Sequence, residues 1–121
     1  MEVKMRARTF IESFKFAIEG IAYALKTQRN IKIHLMAGLV VLLVGLKLKL
    51  TNMEWCIIII TVNMVIFAEM VNTAIEKTID LYTENIHPLA KTAKDVAAGA
   101  VLVSALSAIL IGIIIFGKHF I

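Results

Sequence analysis

Residues 96–116, VAAGAVLVSALSAILIGIIIF, form an uninterrupted stretch without a charged side chain. At 1.5 Å per residue, a helix of this length spans about 31 Å, which matches the hydrocarbon core of a bilayer. The stretch therefore predicts a transmembrane helix, which we expect to extend over about residues 93–117. Small residues recur along it every three or four positions, a spacing that lets a second helix approach closely.

Two further segments upstream have the character of membrane spans. Residues 33–50 have an apolar centre, and Lys47 and Lys49 near the end can reach the interface with their long side chains. Trp55–Ala68, WCIIIITVNMVIFA, is short for a span, so we expect this helix to run over about 54–80, with Trp55 at the level of the headgroups.

The segment before the first span has a different pattern. Apolar residues fall at helical spacing on one face, and the charged residues lie largely elsewhere; the apolar set is Phe10, Phe14, Ala17, Ile18, Ile21 and Leu25. The pattern predicts an amphipathic helix over about 8–29 that lies in the membrane interface. The alternative is an ordinary helix packed on the other three.

The composition supports a membrane protein and excludes several other classes. Of the 121 residues, 60% are hydrophobic, more than a soluble fold of this size could bury. Cys56 is the single cysteine, so no disulfide scaffold is possible within the chain. The net charge of +4 is not gathered on a polar domain, which argues against nucleic-acid binding. The prediction is an all-α integral membrane protein with one domain, residues 1–121.

The distribution of positive charge predicts the orientation. Three spans place the N-terminal segment and the segment between spans two and three on one side of the membrane. That side carries ten of the 13 lysines and arginines, and the other side carries Lys47, Lys49 and Lys118. The excess predicts a cytoplasmic N-terminus in the cell membrane.

Polar residues at the cytoplasmic end of the second span are the candidates for chemistry. Glu69, Asn72, Glu76 and Asp80 are spaced by three, four and four, so they line one face of a helix. Like charges on one face destabilise a helix unless a cation neutralises them. Ionisable groups inside a membrane are functional by default, which applies most directly to Glu69. For Asp80, an ordinary solvated helix end is the alternative interpretation.

A second charged cluster, Lys91–Asp95, precedes the uncharged stretch. Several carboxylates and a lysine at one interface are compatible with phosphate and Mg²⁺, because Mg²⁺ binds oxygen ligands and lysine supplies a point charge. The sequence contains no P-loop and no protein-kinase motif set, so phosphoryl transfer here would need another scaffold.

These blocks together resemble the prokaryotic diacylglycerol kinase family. The most specific are EMVNTAIEKTID (69–80) and AKDVAAGAV (93–101). The resemblance extends to SFKFAIEG (13–20), TQRNIKIH (27–34) and HPLAK (87–91), and so covers nearly the whole chain. The forms NTAIE and HPLAK are similar to those of the Gram-positive branch, whose members act chiefly as undecaprenol kinases with ATP as donor.

The resemblance implies a homotrimer, in which each protomer has a surface helix and three membrane helices, with active sites shared between protomers. It implies that Glu69 is the general base that takes the proton of the lipid hydroxyl, and that Asn72 orients this hydroxyl or a phosphate oxygen. Glu76 matches a ligand of Mg²⁺.

The remaining site residues also follow from the resemblance. Lys94 matches a contact to the ATP phosphates, and Asp95 matches a contact to the sugar or to a neighbouring side chain. Asp80 and His87 match positions near the nucleotide. Arg8, with Arg6 as the alternative, is the nearest candidate for the family's arginine near the start of the chain.

One position departs from the family pattern. A glutamate that shares the metal with the Glu76 position is usual in the family, and Gln28 stands there. The amide still offers an oxygen but removes one negative charge, so we expect weaker Mg²⁺ binding or an inactive form. We expect His34 to be an interface residue rather than a catalyst.

The sequence is also compatible with three alternatives to an undecaprenol kinase. The first is a diacylglycerol kinase, which also acts on a primary hydroxyl at the headgroup level. The second is a non-enzymatic ion or proton pathway built on Glu69 and Asn63, which would leave the block at 93–95 without a role. The third is a regulatory subunit at the membrane surface, which would leave the polar face of 69–80 unexplained.

Overall fold

A computed structural model describes residues 9–83 and 85–120, and these residues form four helices. The helices are α1 (Phe10–Thr27), α2 (Arg29–Leu48), α3 (Asn52–Tyr82) and α4 (Pro88–Phe120). α2, α3 and α4 are each long and apolar enough to cross a membrane. The prediction of an all-α protein with three membrane helices is therefore confirmed.

A single residue, Gln28, separates α1 from α2. The Thr9 side chain caps α1 by accepting a hydrogen bond from the backbone N–H of Glu12, at 3.2 Å. Gln28 has extended backbone angles, and its N–H still donates to the carbonyl of Ala24 at 2.9 Å. Gln28 is thus both the C-cap of α1 and the N-cap of α2. α2 begins four residues before the predicted span of 33–50.

A short turn connects α2 to α3. Lys49 adopts the left-handed conformation, with φ of 54°, and ends α2. Thr51 and Glu54 then form a reciprocal capping box at the start of α3. The two helices approach closely here, because a Cβ atom on Gly45 would lie 2.8 Å from Cη2 of Trp55.

α3 and α4 form a long antiparallel hairpin and have the most extensive contact in the fold. They contain 31 and 33 residues, so they are about 46 and 50 Å long and exceed the thickness of a hydrocarbon core. Pro88 occupies the first position of α4, where its missing N–H costs no helical hydrogen bond. The charged blocks 76–80 and 91–95 thus lie at one end of the hairpin.

The far end of the hairpin is joined by a second polar cluster. Glu54, which is 6% exposed, accepts hydrogen bonds at Oε2 from Nζ of Lys118 at 3.0 Å and contacts Nε2 of His119 at 3.3 Å. The buried apolar cluster lies close by, around Leu50, Ile58 and Ile115. This end of the molecule is held by packing and by ion pairs.

Most apolar side chains of the described residues point outward. In the most apolar window of α4, only 6% of the residues are buried inside the chain. Lipid or further protein must cover such a surface, because contact between so much apolar surface and water is unfavourable. The described residues thus bury only a small apolar core among themselves.

Candidate active site

The site is built on one face of α3, where Glu69 is its most buried member. Glu69 is 2% exposed, and Thr73 one turn later uses its hydroxyl on the backbone carbonyl of Glu69, at 2.9 Å. An isolated carboxylate at this depth is costly unless a donor faces it. The polar side chain beside the Glu69 carboxylate comes from another helix.

His34 on α2 provides this neighbour. Its Nε2 atom lies 3.5 Å from Oε1 of Glu69. The sequence does not predict this contact: it predicts only that His34 is an interface residue rather than a catalyst. The available signal was weak: His34 is one polar side chain on the apolar helix that follows Gln28.

Asn72 and Glu76, the next members of the α3 face, are bonded to each other. The Nδ2 atom of Asn72 donates to Oε1 of Glu76 at 3.0 Å. The other amide atom of Asn72, Oδ1, is buried and has no hydrogen-bond partner among the described residues. A buried acceptor without a donor is destabilising, so this atom is available to a donor group of a ligand.

Asp80 at the end of the face connects α3 to α4. Lys94 Nζ donates to Oδ1 of Asp80 at 2.6 Å. Asp95 is paired within its own helix, with Lys91 Nζ donating to Oδ2 at 2.6 Å. These side chains are partly exposed, so solvent screens both pairs and their contribution to stability is small.

His87 caps the start of α4 and faces the same region. Its Nδ1 atom accepts a hydrogen bond from the backbone N–H of Leu89 at 3.1 Å. A recess of about 330 Å³ lies beside it, between the end of α3 and the start of α4. Three residues with predicted nucleotide contacts line this recess, namely His87, Lys94 and Asp95.

Gln28 does not contact the α3 face in any described hydrogen bond. Its Nε2 atom donates to Oγ1 of Thr27 at 3.2 Å, and it is half-buried at the α1–α2 junction. Within residues 9–83 and 85–120, no three His, Cys, Asp or Glu side chains come together as a metal-binding group. Arg8 and its alternative Arg6 lie outside the described residues.

Comparison with known proteins now identifies the family. A family model described as prokaryotic diacylglycerol kinase matches residues 15–116. The chain belongs to the prokaryotic diacylglycerol kinase family. The predicted class of enzyme, a lipid kinase, is thereby confirmed, and a kinase family implies ATP as the phosphate donor.

Individual relatives agree with this membership. The undecaprenol kinase of Bacillus subtilis (strain 168) is 45% identical over 107 residues, which cover 88% of this chain and 87% of that protein. A diacylglycerol kinase of Synechocystis is 39% identical over 107 residues, covering 88% of this chain and 61% of that protein. A diacylglycerol kinase of Helicobacter pylori is 29% identical over 105 residues, covering 84% of this chain and 82% of that protein.

Proposed function

We propose that this protein transfers the γ-phosphate of ATP to the hydroxyl of undecaprenol and so makes undecaprenyl phosphate. The observation that carries the proposal is the α3 face, on which the buried carboxylate of Glu69 lies one turn from the buried Oδ1 of Asn72, an acceptor without a partner among the described residues. The Bacillus subtilis relative that is 45% identical has the name undecaprenol kinase, and this supports the choice of substrate.

In the proposed reaction, Glu69 is the general base. Its carboxylate takes the proton of the lipid hydroxyl while that oxygen bonds to the γ-phosphorus and the bond to ADP breaks. The free Oδ1 of Asn72 is one turn away and can accept a hydrogen bond from a water that orients the lipid oxygen, because the single proton of the hydroxyl is directed to Glu69. In such transfers the protein acts mainly by positioning groups and by stabilising charge.

ATP is proposed to bind at the recess by the start of α4. Lys94 would neutralise charge on the phosphates, and Asp95 would contact the sugar, with His87 and Asp80 near the nucleotide. The recess lies at the end of the hairpin that carries the charged blocks, which supports the proposal that ATP arrives there from water while the acceptor stays in lipid. Lys94 is already held towards α3 by Asp80, which supports a shared charged surface.

Mg²⁺ is proposed to arrive with ATP as part of the substrate. Glu76 suits this ion, because Mg²⁺ in kinases is commonly held by one or two carboxylates together with phosphate oxygens and water. Asn72 holds one oxygen of Glu76 and leaves the carboxylate able to offer the other. Gln28 is proposed as the second, neutral ligand, supplied at the α1–α2 junction.

The proposed assembly is a homotrimer in the bacterial cell membrane, with shared sites and the N-terminus in the cytoplasm. Glu69 and Asp80 are eleven positions apart on α3, about 16 Å along the helix axis. Lys94 is held at Asp80, so the base and the phosphate-binding lysine of one chain are well separated. Residues of a second protomer would close this gap. α1 is proposed as the surface helix.

The test is phosphate transfer from labelled ATP in detergent micelles with Mg²⁺, offering undecaprenol and diacylglycerol side by side. We expect transfer to favour undecaprenol and to be lost in Glu69→Gln. Glu54→Gln is the matched control, because it makes the same change at the opposite end of α3. Transfer that favours diacylglycerol would keep the mechanism and reverse the substrate. A Glu69→Gln variant as active as the wild type would overturn the role of the base.

A second measurement distinguishes a kinase whose metal site is too weak for transfer from a protein that does not bind ATP. ATP that binds the folded protein must raise its melting temperature in detergent. No transfer together with such an increase would point to Gln28 as the reason. No transfer and no effect of ATP would contradict the kinase mechanism and favour an ion pathway through Glu69 and Asn63.

A further inference from the structure

The contact between His34 and Glu69 has no part in the mechanism described so far. It joins two helices, α2 and α3, and brings Nε2 of His34 to 3.5 Å from Oε1 of the buried carboxylate. Hydrogen bonds of catalytic groups are often long in the absence of substrate and shorten when it binds. A distance of 3.5 Å therefore suits a bond that forms fully in the complex.

The other polar side chains next to Glu69 are engaged elsewhere. The hydroxyl of Thr73 bonds to the backbone carbonyl of Glu69 rather than to its carboxylate. The amide nitrogen of Asn72 donates to Glu76. Among the described residues, the polar side-chain contact to the carboxylate of Glu69 is thus the one from Nε2 of His34, at 3.5 Å.

The surroundings of His34 favour a defined orientation of its ring. The side chain is 24% exposed and lines a mainly apolar cavity of about 110 Å³ between α2, α3 and α4. The rest of the lining offers few polar atoms, and Thr61 in it uses its hydroxyl on the carbonyl of Ile57, at 2.6 Å. A ring in this position has Glu69 as its polar partner, and the partner of a histidine determines which nitrogen carries the proton.

We propose that His34 is a positioning residue for Glu69. Its Nε2–H donates to Oε1, which orients the carboxylate and leaves Oε2 for the lipid hydroxyl. His34 takes no proton itself: the hydroxyl proton moves to Oε2 as the new O–P bond forms and the bond to ADP breaks. This inference rests on the proposed role of Glu69 as the base.

The test compares two substitutions that differ in whether they keep a donor. His34→Leu removes the hydrogen-bond donor and retains apolar volume. His34→Gln keeps a donor, because the amide nitrogen of glutamine can reach about the position of Nε2. We expect His34→Leu to lower kcat on the order of tenfold or more, because a hydrogen bond to a charged group is lost. The KM for ATP should stay unchanged, and His34→Gln should keep most of the wild-type kcat.

A double variant with substitutions at both His34 and Glu69 tests whether His34 acts through Glu69. Residues that act through one group are not additive, so His34→Leu should cause a smaller fold-loss in a Glu69→Asp background, which keeps a carboxylate and residual transfer, than in the wild type. Thr61→Val is the matched control, since it removes a polar group from the same cavity away from Glu69, and it should keep wild-type kinetics.

The outcomes separate this inference from the proposed function. A wild type that shows neither transfer to either lipid nor a higher melting temperature with ATP, or an active Glu69→Gln, would overturn the proposed function and this inference with it. An active wild type and inactive Glu69→Gln, with His34→Leu like the wild type, would overturn the role of His34 alone. Equal losses in His34→Leu and His34→Gln, or additive losses in the double variant, would assign His34 a structural role instead.

Discussion

Glu54 and Glu69 are both buried carboxylates of α3, and their partners give them different properties. Glu54 is matched by Lys118, His119 and the backbone N–H of Thr51, so its charge is fully neutralised and bonded. Glu69 faces one imidazole at 3.5 Å. A carboxylate with few partners keeps the capacity to accept a proton or a substrate hydroxyl, whereas a saturated one serves structure.

Gln28 provides a test of the proposed metal site at the scale of one residue. Gln28→Glu restores a negative charge beside the α1–α2 junction, and a charged oxygen binds Mg²⁺ more strongly than an amide oxygen. We expect the Mg²⁺ concentration for half-maximal transfer to fall several-fold and the rate to rise. The measurement is a Mg²⁺ titration of phosphate transfer at saturating ATP.

Gln28→Asn is the control for this experiment, because it keeps a neutral amide at the same position. It should leave the Mg²⁺ requirement no lower than in the wild type. If Gln28→Glu changes neither the Mg²⁺ requirement nor the rate, Gln28 has no part in metal binding.

The spacing of residues in the sequence was sufficient to predict the polar face of α3, but not the residues of other helices that contact α3. Intervals of three and four residues follow directly from helical geometry, so Glu69, Asn72, Glu76 and Asp80 could be grouped without a structure. His34 lies 35 positions before Glu69, and the pairing depends on how α2 packs against α3. No local pattern encodes that distance, and the same applies to the bond between Glu54 and His119.

At the scale of elements, the start of α3 combines a helix cap with a connection to the end of α4. Glu54→Ala would break the capping box with Thr51 and leave Lys118 and His119 without their acceptor. We expect a loss of about 1–2 kcal/mol in stability, which is the range for losing a cap. The melting temperature in detergent should fall by several degrees, while kinase activity of the folded protein persists.

Glu54→Gln refines this prediction, because the amide oxygen still accepts a hydrogen bond from Thr51 but no longer pairs with Lys118. Its melting temperature should lie between those of the wild type and Glu54→Ala. Unchanged melting in both variants would show that the two helix ends are held by apolar packing alone.

Hydropathy and periodicity were sufficient to predict all four helices, although not their ends. The predicted segments 54–80 and 93–117 lie within α3 and α4; α3 extends two residues beyond each predicted end, and α4 begins five residues earlier than predicted. Lys49 and Leu50 were included in the span 33–50, but Lys49 turns left-handed and ends α2. Capping residues and turns determine where a helix ends, and hydropathy alone does not reveal their positions.

At the scale of the whole molecule, one chain does not bury its own apolar surface. α4 is largely uncovered, and a groove of about 620 Å³ between α3 and α4 is lined by Asn72 and by the small residues Ala93, Ala97, Ala100 and Ser104. Helices pack closely along small residues. This arrangement supports the proposal that further copies of the chain complete the site.

Co-expression of two inactive variants tests the shared site. Glu69→Gln lacks the proposed base and Lys94→Met lacks the proposed phosphate-binding cation, so each should be inactive alone. If Glu69 of one protomer works with Lys94 of another, mixed assemblies contain some intact sites. We expect a measurable fraction of wild-type transfer to return on mixing. Activity that stays at the level of the single variants would place both residues in one protomer.

The single-residue connection at Gln28 has a consequence for how the chain can vary in length. Because no flexible linker separates α1 from α2, the rotational phase of one helix is tied to that of the other. One inserted residue would turn α1 by about 100° relative to its present phase, since a turn contains 3.6 residues. Phe14, Ile18 and Ile21 would then face a different direction. An insertion at this junction is therefore expected to be tolerated less well than one in the longer connection between α3 and α4, residues 83–87.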